Sequence, residues 1–191
     1  MKEIIINRLA VGLLLLGFSQ VLFASSYRVE VLVFAHKQPN TEVFEQTTSA
    51  LKPPDSIVEV GANNDSGEVA LDEEPLSGLS AAYQQLSQQA NYAVLLKKAW
   101  VQSISTDQST PAAHIQTADH TLNGYVSLIT NGAMTMQVDV EYTVTRENRY
   151  NQTISITPVI YHLTEKRPLK FNESHYFDHP QIGVIMLVTP L

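Results

Sequence analysis

Residues 122–145 carry the pattern that most limits what this chain can fold into. Asn131-Gly132 is a strong signal for a tight hairpin, because both residues tolerate the positive φ that a two-residue turn demands. After it, Met134, Met136, Val138, Val140, Tyr142 and Val144 alternate with Thr135, Gln137, Asp139, Glu141, Thr143 and Thr145. A period of two sets the first group on a core face and the second on a wet face. Residues 122–129 supply the partner strand.

The flanking segments extend this sheet. Tyr27, Val29, Val31 and Val33 alternate with Arg28, Glu30, Leu32 and Phe34. That strand starts polar and ends apolar on both faces, so it belongs at the centre of a sheet, paired with the apolar 183–188 segment. Residues 92–101 form a strand carrying Trp100, and 175–177 a short one. Residues 153–163 form another, in which Pro158 lacks a donor and marks an edge or a bulge. Polar turns or loops are expected at 103–113, 146–151 and 166–172. Residues 37–75, punctuated by Pro39, Pro53, Pro54 and Pro75, read as a long polar excursion with room for a short hairpin.

One helix is expected over 76–90, with Leu79, Tyr83, Leu86 and Ala90 on its packed face. Glu73 and Glu74 would favour its N-terminus and Asn91 would end it in a left-handed turn. The fold class is therefore α+β: a curved, mostly antiparallel sheet of about six strands, partly folded around itself, with one main helix and a long loop in the N-terminal half.

The N-terminus reads as a secretory signal peptide. Lys2 and Arg8 precede the apolar run Leu9–Phe23, and Ala24 offers a cleavage site before Ser25-Ser26. The run is shorter than the roughly 20 residues of a membrane-spanning helix. Residues 1–24 are thus expected to leave, and 25–191 to form a single exported domain without stable membrane insertion. The chain has no cysteine, so packing alone must hold it, and thiolate metal sites and thiol nucleophiles are excluded. Its net charge is −7, and losing Lys2, Glu3 and Arg8 takes it to −8. Such a surface opposes nucleic-acid binding. The acidic residues crowd 59–74, whereas Arg146, Arg149, Lys166, Arg167 and Lys170 gather near the C-terminus.

The chain spells no Gly-x-Ser-x-Gly elbow, no His-Glu-x-x-His and no glycine-rich phosphate loop. Asp139 and Glu141 lie two apart on a strand face, as paired acids would, but they read as the solvated face of an amphipathic strand. His162, His175, Asp178 and His179 are the only cluster of metal-ligand types, yet strand and turn geometry around Tyr176, Phe177 and Pro180 does not bring imidazoles together as a helix would. Asp178-His179-Pro180 reads instead as a structural turn, its carboxylate bonding turn amides. No cofactor is expected. Binding fits better. Tyr150, Tyr161 and Tyr176 are rigid amphipathic rings, and with Arg146, Arg149, Lys166, Arg167 and Lys170 they make the candidate binding face.

Two stretches resemble a known family. Tyr27-Arg28-Val29-Glu30-Val31-Leu32-Val33-Phe34 follows the export signal, and His175-Tyr176-Phe177-Asp178-His179-Pro180-Gln181-Ile182-Gly183-Val184-Ile185 nearly closes the chain. Together, with Tyr92-Ala93-Val94-Leu95 and Trp100 between them, they resemble the CsiV family of periplasmic, peptidoglycan-binding cell-shape proteins. The resemblance implies a non-catalytic accessory in the periplasm. Its partners would be peptidoglycan and an outer-membrane lipoprotein that activates a penicillin-binding synthase. The family supplies no ligand-contact residues to carry over. Two other readings stand beside it: a metal-dependent envelope hydrolase on the His/carboxylate cluster, and a protein-only envelope adaptor.

Overall fold

A computed structural model describes residues 25–37, 48–61, 70–104, 110–150 and 153–191. The expected signal peptide, 1–24, lies outside the described residues. The elements are β1 (Ser25–His36), β2 (Ile57–Val60), β3 (Ala70–Leu71), α1 (Ser80–Gln88), β4 (Tyr92–Ile104), β5 (Ala112–Gln116), β6 (Leu122–Asn131), β7 (Ala133–Tyr150), β8 (Thr153–Pro168), β9 (Ser174–Asp178) and β10 (Ile182–Pro190). They make two sheets, not one. The first is four-stranded, in the order β4-β1-β10-β9; the second is six-stranded, in the order β3-β2-β5-β6-β7-β8. All pairs are antiparallel except those β2 makes with β3 and β5.

The expectation of a single curved sheet is corrected by how β1 and β10 are covered. Val29, Val31 and Val33 of β1, with Val184, Met186 and Val188 of β10, pack against Val126, Leu128, Met136, Val138 and Val140 of the six-stranded sheet. On their other face, Leu32 and Leu187 pack under Leu79, with Tyr83 and Leu86 of α1 around them. Strands apolar on both faces need two covers. The result is three layers: helix, four-stranded sheet, six-stranded sheet. Trp100 lies fully buried in the core shared by the two sheets.

β1 is central and pairs with β10 from Tyr27↔Pro190 to Ala35↔Ile182, as its alternation implied. The β6–β7 hairpin turns at Gly132, whose φ is +77°. β7 and β8 stay paired out to Tyr150↔Thr153, so most of the turn expected at 146–151 is strand. Pro158 sits in β8, an edge strand, where its missing donor is tolerated. The loop expected at 103–113 is invaded by β4 and β5. The 37–75 excursion carries β2 and β3, which lie parallel rather than as a hairpin.

The helix is shorter than expected. It ends where Gln89 turns extended (φ −92°, ψ 124°). Among the described residues the positive-φ positions outside glycine are His120 and Asn172, so Asn91 does not take the left-handed turn. Its start is served not by Glu73 or Glu74 but by Glu30 of β1. The Glu30 carboxylate, 1% exposed, accepts hydrogen bonds from Ser77 N at 3.0 Å, Ser77 Oγ at 2.7 Å, Gly78 N at 2.9 Å and Leu79 N at 3.0 Å. Glu73 instead pairs with Lys98 at 2.9 Å and Glu74 with Arg28 at 2.6 Å.

Candidate functional site

The wet face of the six-stranded sheet is polar across its width. Alternation along β2, β5, β6, β7 and β8 brings Glu59, His114, Tyr125, Asp139 and His162 to it. His114 Nδ1 lies 2.6 Å from Glu59 Oε1 and its Nε2 2.6 Å from Asn123 Oδ1. The same imidazole stacks on Tyr125, with centroids 5.1 Å apart. His162 Nε2 lies 2.6 Å from Asp139 Oδ1. Burial, then the charges of Glu59 and Asp139, push the Tyr125 phenol up, so it stays a neutral hydroxyl.

A strap crosses this face. Glu141, which sequence periodicity gave to solvent, is only 6% exposed. It accepts from Ser49 Oγ at 2.6 Å, Ala50 N at 2.6 Å and Leu51 N at 3.0 Å. The following residues wall a groove of about 440 Å³, lined by Lys52, Asp55 and Ser56 above and Tyr125, Ser127, Gln137 and Asp139 below. Lys166 stands beside Gln137 in the β7–β8 register and is exposed. The volume lies within the range of ligand pockets.

The strap spells Ser49-Ala50-Leu51-Lys52, the Ser-x-x-Lys spacing of penicillin-binding enzymes. No Ser-Asp-Asn or Lys-Thr-Gly accompanies it in the chain. Ser49 Oγ is also turned to Glu141. A second hollow, of about 560 Å³, lies between α1 and β4. Its charges are committed locally: Glu73 to Lys98 and Glu74 to Arg28, while Lys97 sits 4.5 Å over the Tyr83 ring.

The expected basic face does not converge. Lys166 points outward beside the groove. Arg167 points the other way, 5.1 Å over the Phe177 ring and paired with Glu165 at 2.5 Å. Arg146 donates to the hydroxyl of the buried Tyr161 at 3.0 Å. Lys170 lies 3.5 Å from Glu173 in the turn after β8. Arg149 and Tyr150 pair at the end of the β7–β8 ribbon; their side chains lie outside those described.

The metal reading finds no common centre either. His162 faces Asp139, His175 Nε2 lies 3.0 Å from the Lys170 carbonyl, and His179 tilts against Tyr161 with centroids 6.0 Å apart. Among the described residues no three His, Asp or Glu side chains are grouped to hold a metal. Asp178-His179-Pro180 does join β9 to β10, with His179 N donating to Ile182 O at 3.0 Å and Gln181 N to His179 Nδ1 at 3.2 Å. The Asp178 carboxylate accepts not a turn amide but the Tyr176 hydroxyl, at 2.6 Å.

That hydroxyl belongs to an aromatic corner at the end of the four-stranded sheet, on its helix side. Phe34 stacks nearly parallel to Tyr176 (6.1 Å, 8°) and meets Tyr92 edge-on (5.3 Å, 89°). His36 lies 5.4 Å from Phe34 and 5.5 Å from Tyr92. Gly183 separates Phe34 from Tyr176 across the sheet, and a Cβ there would overlap Phe34 and press on Tyr176. Sequence reasoning offered Tyr176 as a binding residue but not Phe34, His36 or Tyr92, which lie on other strands.

No curated protein and no solved structure matches the chain. A protein family does, over residues 8–191, essentially the whole length, and its description is "Peptidoglycan-binding protein, CsiV". The ends that carried the resemblance are the central strand β1 and the β9–β10 hairpin packed beside it, and the chain belongs to the CsiV family of peptidoglycan-binding proteins.

Proposed function

We propose that this protein is a non-catalytic accessory of cell-wall assembly, exported to the periplasm by cleavage after Ala24, that holds peptidoglycan directly. It would thereby help an outer-membrane lipoprotein activate a penicillin-binding synthase. The observation that carries the direct contact is the groove under the strap. It sets the Tyr125 ring beside the amide of Gln137, the carboxylates of Asp55 and Asp139, and the amine of Lys52. Peptidoglycan offers hydroxyls, amides, carboxylates and amines, and each finds a complement there.

Co-sedimentation of the protein, purified from the periplasm, with isolated sacculi tests this. Wild type should pellet with sacculi, with or without chelator. Gln137→Ala/Lys166→Ala should weaken binding about tenfold, the effect of losing roughly 1.4 kcal/mol. Failure of wild type to pellet overturns direct binding and favours the protein-only adaptor. Loss of pelleting with chelator alone would revive a metal site.

A further inference from the structure

The aromatic corner has features that a mere piece of core lacks. Phe34 is buried at 4%, but Tyr176 in front of it is 41% exposed, although it is a large ring on an edge strand. The Phe34 ring backs Tyr176 on one side, and Asp178 pins its hydroxyl. Burial, the hydrogen bond to Asp178 and the charge of Asp178 push the phenol up, so it remains a hydroxyl at any physiological pH. Its ring is held rigidly and shown to solvent.

His36 and Tyr92 continue the row across β1 to β4. The His36 Nε2 atom is shielded and has no hydrogen-bond partner; the nearest carboxylate oxygen, of Asp178, is 3.9 Å away. Leaving such a nitrogen unpaired is unfavourable. The imidazole packs edge-on against Phe34 and Tyr92. That row runs from edge strand β4 to edge strand β9, about 14 Å at the usual strand spacing. Helix α1 ends short of it, packing on Leu32, Ile185 and Leu187.

We infer that Tyr176, its ring backed by Phe34, stacks on a pyranose ring of the glycan backbone of peptidoglycan, with Asp178 accepting the hydroxyls of the sugar. The inference rests on the wall-binding reading and adds which part of the wall polymer lies where. Sugar rings present apolar C–H faces to aromatic rings and hydroxyls at their rims, which matches rigid rings beside an exposed carboxylate. A protein partner fits less well. Among the described residues Tyr176 is the only large apolar side chain exposed in the corner, whereas protein interfaces need a contiguous apolar patch.

The test uses N,N′,N″-triacetylchitotriose, a short β-linked pyranose chain without peptide, titrated into the periplasmic protein by calorimetry, with sacculus pelleting in parallel. Wild type should bind the trisaccharide. Tyr176→Ala should weaken it about tenfold or more, and Tyr176→Phe should keep most of it. Intermolecular NOEs in wild type should connect sugar protons to the assigned Tyr176 ring protons, which keeps the test valid if Tyr176→Ala does not fold. Sacculus binding without trisaccharide binding, or trisaccharide binding indifferent to Tyr176→Ala with no NOE to the ring, overturns the stacking inference and leaves the wall reading standing. Absence of both kinds of binding overturns both.

Discussion

Glu30 is a carboxylate on the inner strand of a sheet, 1% exposed, in a place where an unpaired charge could not survive. Burial raises its pKa, but the hydrogen bonds from Ser77, Leu79 and Gly78 together outweigh that, and the net value falls below the ordinary 4.5. A folded pKa below the unfolded one means that the ionised form is the stabilising one. Its contribution is therefore complete above the ordinary carboxyl value and disappears as pH falls through the lower folded value. Glu30→Ala should destabilise the protein by about 3 kcal/mol, because three backbone donors and Arg28 lose their acceptor. Chemical denaturation at pH 7 and near pH 3 measures this. The gap between wild type and variant should be wide at pH 7 and shrink at pH 3; an equal gap at both would refute the ionised anchor. Sequence showed Glu30 only as a polar residue at the start of an alternating strand. Its role arises from Ser77–Leu79, which no periodicity links to it.

Among the elements, the strap over the wet sheet depends on one acceptor. Glu141→Gln keeps the shape but removes the charge that gathers Ser49, Ala50 and Leu51. Charge-assisted bonds are worth about 1.5–3 kcal/mol, so the Ala50 and Leu51 amides should exchange with deuterium about tenfold faster or more, while amides of β6 stay as slow as in wild type. Unchanged exchange at those two amides would show that the strap is held by something else. Gly183→Ala poses the matching question in β10. Its new Cβ would part Phe34 from Tyr176, so trisaccharide binding should fall along with some stability, whereas the groove should be undisturbed. These two elements also mark the limit of what the sequence revealed. Strand identity was legible where one residue in two was apolar, as in β1 and β7, and where proline or Asn-Gly punctuated, as at Pro158 and Gly132. β5 was missed because Ala112–Gln116 is five residues long and follows Pro111 without clear alternation. The outer half of the β7–β8 ribbon was missed because Arg146–Tyr150 is polar on both faces, which reads as a turn. Neither site could be read from the sequence, because each is assembled from strands that pair at long range.

At the scale of the whole molecule, Trp100 is the only tryptophan and has no exposure. It lies in a core shared by both sheets, so its emission reports on their union, while far-UV circular dichroism reports on the strands. The two unfolding midpoints should coincide if the sheets form one cooperative unit; a separation would mean that the six-stranded sheet outlives the other or fails before it. Leu79→Ala should lower both midpoints together, by about 2–5 kcal/mol of stability, since Leu79 is 1% exposed against Leu32 and Leu187. The layer order has a further effect on valency. The aromatic row lies on the helix side of the four-stranded sheet, and the groove lies on the far side of the six-stranded one. Two contact faces that look in opposite directions cannot both lie on one flat surface. If both proposed faces bind, each molecule bridges two strands of polymer, with the second capture favoured by its raised local concentration; if only one does, the other is left to face a protein.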